Sequence, residues 1–245
     1  MSLLSIQFRG ESISKASSMI AIVPDEPGPH PVLYLLHGLS DDHTIWLRRT
    51  SVERYAEGRG LIIVMPDGHQ SFYLNDPRPG GIAYEDHITQ DVVGFCDRVL
   101  PAIPKASARA IAGLSMGGYG AIRVGLANPD LFSVACSHSG AVGYAHGPIE
   151  GRPELGHLAR AVGEAGDCHA LAAERKKDGK LPALRLDCGT DDFLLDSNRQ
   201  FHAHLDEIGV EHVYEEFPGN HNWAYWDEHI TATLDFVCEH VRPKA

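Results

Sequence analysis

The sequence predicts an α/β fold, a mostly parallel central sheet with helices on both faces and an antiparallel N-terminal edge. Three observations predict it. Short, continuous apolar runs that end at turn residues, such as PVLYLLHG and LIIVMPDG, have the pattern of strands buried on both faces. These runs alternate with stretches of helical spacing, the order that a parallel sheet requires. The first two runs, LLSIQF and SMIAIVP, are separated only by a short polar turn and so should pair antiparallel.

The elements follow in order along the chain. PVLYLLHG is a strand, SVERYAEGRG a helical stretch and LIIVMPDG the next buried strand. YEDHITQDVVGFCDRVLPAI has helical spacing, closed by Pro101. Strand RAIAGL, turn SMGG, helix YGAIRVGLANP and strand SVACSHSG come next. The last part reads strand LPALRLDCG, helix LDSNRQFHAHLDEIG, strand VEHVYEEFPG and helix NWAYWDEHITATLDFVCEHV, with His212 placed inside the last strand. One domain over residues 1–245 is expected. The stretch from Ala141 to Lys180 contains two modest helical patterns, GHLARAVGEAG and CHALAAERKKDG. It reads either as a small cap above the carboxyl ends of the strands, where ligands bind in such sheets, or as an ordinary two-helix connection.

With 43% hydrophobic and 22% charged residues, the composition is that of a soluble globular protein. A net charge of -12 argues against nucleic acid or an anionic membrane surface as a partner. The start, MSLLSIQFRGES, lacks the basic and apolar regions of a signal peptide. No apolar run approaches the ~20 residues that span a bilayer. Cys96, Cys136, Cys168, Cys188 and Cys238 form an odd set without paired spacing, as expected of reduced thiols in a cytoplasmic protein.

Gly113-Leu114-Ser115-Met116-Gly117 matches G-x-S-x-G. Alone the pattern is weak, but here it follows a strand and precedes a helix. That setting lifts a serine oxygen clear of the sheet and puts glycines where side chains would collide. A phosphate-binding loop would need Gly-Lys-Ser/Thr or G-x-G-x-x-G, and neither occurs. Ser115 is thus the candidate nucleophile, with the Met116 amide aimed at the oxyanion formed when it attacks a carbonyl. A second amide should come from LLHGLSDDHTIW, with Leu39 the candidate and Gly38 its neighbour. His37, at the end of a strand, suits a structural role.

The expected chain order is Ser, Asp/Glu, His. LPALRLDCGTDDFL offers Asp187 inside the strand and Asp191 and Asp192 in the turn beyond it. Asp192 is favoured, with Asp191 the alternative. Its role is to hold the imidazole tautomer and stabilise the imidazolium. VEHVYEEFPGNHNWAYW puts His221 after the last strand, while His229 and His240 fall in the last helix. An imidazole can accept the serine proton near neutrality. Trp46, Tyr73 and Trp223 are candidate pocket residues, with core packing an equal reading of each. No metal or other cofactor is expected: there is no H-E-x-x-H and no Cys-x-x-Cys, and His202 and His204 point to different sides of a helix.

PVLYLLHGLSDDHTIWLRRTSVER, LIIVMPDG, GLSMGGYGA, CGTDDFL and GNHNWAYWDEHI together resemble the esterase D group of the α/β-hydrolase fold. That group includes S-formylglutathione hydrolases and mycolyltransferases, and the likeness is greatest to the bacterial tributyrin-esterase type. The resemblance spans nearly all of the chain except Ala141 to Lys180. It implies a triad of Ser115, Asp192 and His221, with oxyanion amides from Leu39 and Met116. It also implies a serine carboxylesterase acting on a small-molecule ester with a short acyl chain. Some relatives act on acetylated or feruloylated carbohydrate, and many form homo-oligomers. The S-formylglutathione hydrolases more often carry histidine where this chain has Tyr119, which lowers the thioesterase alternative. A non-catalytic binding member of the fold is the further alternative.

Overall fold

The computed structural model describes residues 1–146, 158 and 161–241. These build an eight-stranded sheet in the order β1-β2-β4-β3-β5-β6-β7-β8. β1 (Ser2–Gly10) and β2 (Lys15–Val23) form an antiparallel hairpin, and β2 also runs antiparallel to β4 (Ile62–Pro66). From β4 onward all pairs are parallel, through β3 (Val32–Leu36), β5 (Arg109–Leu114), β6 (Val134–His138), β7 (Ala183–Gly189) and β8 (Val213–Phe217).

The continuous apolar runs are explained by two cores, one on each face. Side chains alternate along a strand, so Val32, Tyr34 and Leu36 of β3 enter one core while Leu33 and Leu35 enter the other. β4 divides likewise, Ile62 and Val64 against Ile63 and Met65. Each such side chain contributes roughly 1.5–3 kcal/mol on full burial.

Four helices whose bounds lie among the described residues cover the first core. α3 (Tyr84–Asp86, a π-helical turn His87–Val92, then Val93–Val99) and α4 (Met116–Ala127) are two of them, and α5 (Cys168–Asp178) and α6 (Leu195–Glu207) the others. The second core is covered by α1 (Ile45–Arg49), α2 (Val52–Ala56) and α7 (Trp223–His240). α3 stops before Pro101, with Leu100 extended at φ -91° and ψ 158°, because the residue before a proline is crowded out of the helical region.

The sequence expectations for the strands and for the long helices agree with these elements, with one local correction: His212 precedes β8, which begins at Val213. CHALAAERKKDG forms α5. GHLARAVGEAG, and with it the cap expected within 141–180, falls partly outside the described residues. Among the described residues no helix is long and apolar enough to cross a membrane. Cys96, Cys136, Cys168 and Cys188 are buried free thiols.

Because β3, β5, β6, β7 and β8 are parallel, their carboxyl ends share one edge of the sheet. The loops that leave this edge carry Leu39, Ser115, Asp192 and His221.

Candidate active site

The site is built around the β5–α4 turn. Ser115 sits between them at φ 54° and ψ -115°, a strained conformation for a residue with a side chain. Its N–H donates to the His138 carbonyl at 2.9 Å, and its own carbonyl accepts from Ala141 at 3.0 Å, so both peptide groups are held. The turn is too tight for side chains at its flanks. A Cβ on Gly113 would lie 2.5 Å from the Gly117 backbone, and one on Gly117 would lie 2.6 Å from the Leu36 and His37 carbonyl oxygens. That crowding is the physical content of G-x-S-x-G.

His221 approaches from the loop after β8. That loop is fastened to the loop after β7 by Thr190 N–H donating to Phe217 at 2.9 Å and Asp191 N–H donating to Gly219 at 2.8 Å. Beyond it Asn222 caps α7 by accepting from the Tyr225 N–H at 3.1 Å. His221 Nδ1 lies 2.8 and 3.1 Å from the two carboxylate oxygens of Asp192, and Nε2 lies 2.9 Å from Ser115 Oγ. A carboxylate only accepts, so Nδ1 carries the proton and Nε2 accepts from the serine hydroxyl. The Asp192 side chain has no exposure, whereas 18% of the His221 side chain is accessible. Asp192 also accepts from the Leu194 N–H at 2.9 Å. Asp191 is exposed and Asp187 lies in the core with His138, so neither meets His221.

Leu39 and Met116 both border a small apolar cavity beside Ser115, of about 60 Å³, together with Phe72, Ala141, Phe193 and Leu194. The loop bearing Gly38 and Leu39 is braced by His37. Its ring Nδ1–H donates to the Gly38 carbonyl at 2.7 Å and its Nε2 accepts from the Gly68 N–H at 2.8 Å. Asp67 Oδ1 lies 3.5 Å from the same ring nitrogen, and the His37 ring beside it is the main reason that this carboxyl lies well below its usual range, against the opposing effect of burial. Tyr73 donates through its hydroxyl to the His37 carbonyl at 3.0 Å, and burial pushes that phenol well above its ordinary value.

The aromatic assignments need correction. Trp46 and Tyr73 are fully buried core residues, Trp46 donating to the Leu36 carbonyl at 3.0 Å. Trp223 is half-buried and packs edge-on against Trp46 and Trp226. None of the three lines the cavity at Ser115. Rings excluded from water are satisfied by packing, and the aromatic contacts come instead from Phe72 and Phe193. Phe193 is 69% exposed, and its ring centroid is 4.6 Å from that of His221. Its sequence signal was an apolar residue set in a polar turn, directly after Asp192. Tyr119 is buried and donates to the Gly166 carbonyl at 2.6 Å.

A serine hydroxyl, an imidazole and a buried carboxylate in line at the carboxyl edge of this sheet are the arrangement of the serine hydrolases of the α/β-hydrolase fold. The model of the Esterase family, described as "Putative esterase", matches residues 15–237. The chain is 28% identical to an acetyl esterase of Caldicellulosiruptor saccharolyticus, over 97% of this chain and 98% of that one. Among solved structures, the substrate-bound fluorophosphonate-binding serine hydrolase F of Staphylococcus aureus superposes with a TM-score of 0.88 at 30% identity. It covers 97% of this chain and 98% of that one. The S-formylglutathione hydrolase of the same organism superposes with a TM-score of 0.86 at 28% identity, covering 97% and 98%. The chain belongs to this esterase family and is a serine esterase, a carboxylic ester hydrolase acting on a small-molecule ester.

Proposed function

We propose that the chain is a carboxylesterase of the tributyrin-esterase type, which hydrolyses short-chain acyl esters through an acyl-enzyme on Ser115. The observation that carries this reading is the line Asp192–His221–Ser115 opening onto a small apolar cavity. A short acyl chain would fill it against Phe72, Ala141 and Leu194.

In this reading His221 Nε2 takes the Ser115 proton as Oγ attacks the ester carbonyl. The amides of Leu39 and Met116 receive the oxyanion, each worth about 10²–10³ in rate. His221 then protonates the departing alcohol, accepts a proton from the attacking water, and the acid is released. Asp192 holds the tautomer and stabilises the imidazolium without taking a proton. The catalytic unit is one domain over residues 1–245, and the free thiols support a reducing, cytoplasmic setting. A homo-oligomer, implied by the family, is read directly by light scattering.

The test is a panel of aryl acetate, butyrate and octanoate esters, methyl ferulate and S-formylglutathione. Acetate and butyrate should give the highest kcat/KM. A clear preference for S-formylglutathione or for the ferulate would overturn the substrate reading. A fluorophosphonate probe should label the wild type and leave Ser115→Ala unlabelled.

A further inference from the structure

Away from Ser115, three side chains converge where the turn Tyr144–His146 meets the start of α5. His146 Nε2 lies 3.0 Å from one carboxylate oxygen of Asp167, and His169 Nδ1 lies 3.4 Å from the other. One donor atom from each of the three falls within 4.8 Å of the other two. The two imidazole rings face each other with centroids 4.5 Å apart.

An ordinary ion pair would use one imidazole, and here a second is turned to the same carboxylate. His169 Nδ1 is shielded from solvent and makes no hydrogen bond among the described residues. A shielded ring nitrogen without a hydrogen bond is a costly group to leave, and a cation is the partner that would also engage His146 and Asp167. The three groups are already oriented. Asp167 accepts from the His169 N–H at 2.8 Å, His204 Nε2–H donates to the His169 carbonyl at 3.1 Å, and the His169 ring packs edge-on against Phe201.

We propose that His146, Asp167 and His169 form a divalent transition-metal site, suited to Zn²⁺, that clasps the Tyr144–His146 turn to the N-terminus of α5. Two imidazole nitrogens and one carboxylate oxygen are a ligand set that Zn²⁺ accepts, with a fourth position left for water. His146 is 47% exposed, which gives an ion its entry. No short motif marks the site, because His146 is far in sequence from Asp167 and His169.

The clasp would act on the ester site through packing. Tyr144, in the clasped turn, stacks on Phe72 with centroids 3.7 Å apart, and Phe72 lines the cavity at Ser115. The other end is tied to α4, where Tyr119 donates to the Gly166 carbonyl at 2.6 Å and Arg123 to the Ala165 carbonyl at 2.9 Å. A bound ion would therefore stiffen one wall of the pocket and take no part in the chemistry.

The test uses the full chain, stripped with EDTA, in a His202→Gln background. That background disables the other imidazole–carboxylate group among the described residues, His202–Asp206–His212. Titration with Co²⁺, followed by visible absorption, and with Zn²⁺, followed by calorimetry, reads binding without reference to esterase activity. One equivalent should bind, and the thermal midpoint should rise with Zn²⁺ concentration. Adding His146→Gln, at a half-exposed position that should not disturb the fold, should weaken binding by more than the roughly 10–100-fold that loss of an outer-shell partner costs. No uptake at millimolar Zn²⁺, or uptake unchanged by His146→Gln, would mean an ion pair only and would overturn the proposal.

Discussion

Two histidine–aspartate pairs stand near the carboxyl ends of β6, β7 and β8, and they differ in what the imidazole faces on its far side. In the first, His221 bridges Asp192 and the Ser115 hydroxyl, at 2.8 and 2.9 Å. In the second, His138 Nδ1 lies 2.8 Å from Asp187, both side chains have no exposure, and His138 Nε2 has no hydrogen-bond partner among the described residues. Asp187 is also bound by Arg185 and by the Tyr225 hydroxyl at 3.0 Å, and Arg185 reaches on to Glu215 at 2.7 Å. Burial alone would raise the Asp187 carboxyl, but His138 and Arg185 hold it below its ordinary value. The buried pair meets the β5–α4 turn through backbone, where the His138 carbonyl receives the Ser115 N–H, and the Asp187 carbonyl receives the Ser139 N–H at 2.8 Å. In the proposed mechanism the same two residue types thus serve turnover in one place and rigidity in the other. The third partner and access to solvent decide which.

The comparison breaks or holds first on Asp192. Replacing it with asparagine should cost about 10⁴ in kcat, because the imidazole then loses the acceptor that fixes its tautomer. Thermal stability should change little by comparison. Asp191→Asn, at an exposed position, should leave the kinetics near wild type, and a larger loss there would reverse the assignment. Asp187→Asn should show the opposite pattern. Removing one partner of a buried ion pair costs about 3–5 kcal/mol, so chemical denaturation should shift strongly while kcat per folded molecule stays near wild type. Should that variant fail to fold, Tyr225→Phe asks the same question more gently. It removes one hydrogen bond to a charged group, worth about 1.5–3 kcal/mol, without touching Ser115. A kcat loss comparable to that of Asp192→Asn in either core variant would mean that the two pairs act as one unit.

Much of this arrangement is legible from residue order, and the unread parts have a common cause. The runs VLYLL and IIVMP announce strands buried on both faces because every residue in them is apolar whichever way it points. G-x-S-x-G announces the β5–α4 turn because side-chain collision, a local matter, dictates its glycines. The choice among Asp187, Asp191 and Asp192 is not local. It depends on which carboxylate the turn after β7 directs inward, and three acidic residues within six positions look alike until the loops after β7 and β8 are fastened together. The aromatic residues fail for the same reason. Trp46 and Tyr73 lie close to the motif loops in sequence and end in the core, while Phe193 sits in a polar turn and stays exposed beside His221. The His146–Asp167–His169 group, assembled from two segments, leaves no periodic trace at all.

The smallest effect, and the most discriminating between pairing and packing, is the acid dependence of stability. Asp187 has a folded value below its ordinary one, so the unfolded chain binds a proton there at higher pH than the folded chain does. The stability it contributes is therefore fully present above the unfolded value, about 3.9, and is lost as pH falls through the depressed folded value. Between pH 5 and 8 the wild type and Asp187→Asn should differ by a constant amount. Below about pH 4 the difference should shrink, because the wild-type carboxylate is being protonated while the amide has nothing to titrate. Denaturant midpoints for both proteins, taken from pH 7 down to pH 3, measure this directly. A gap that stays constant to the lowest pH would show that Asp187 stabilises by shape and hydrogen bonding alone. A gap that closes assigns its role to charge, held in place by Arg185 and His138 and kept away from the serine.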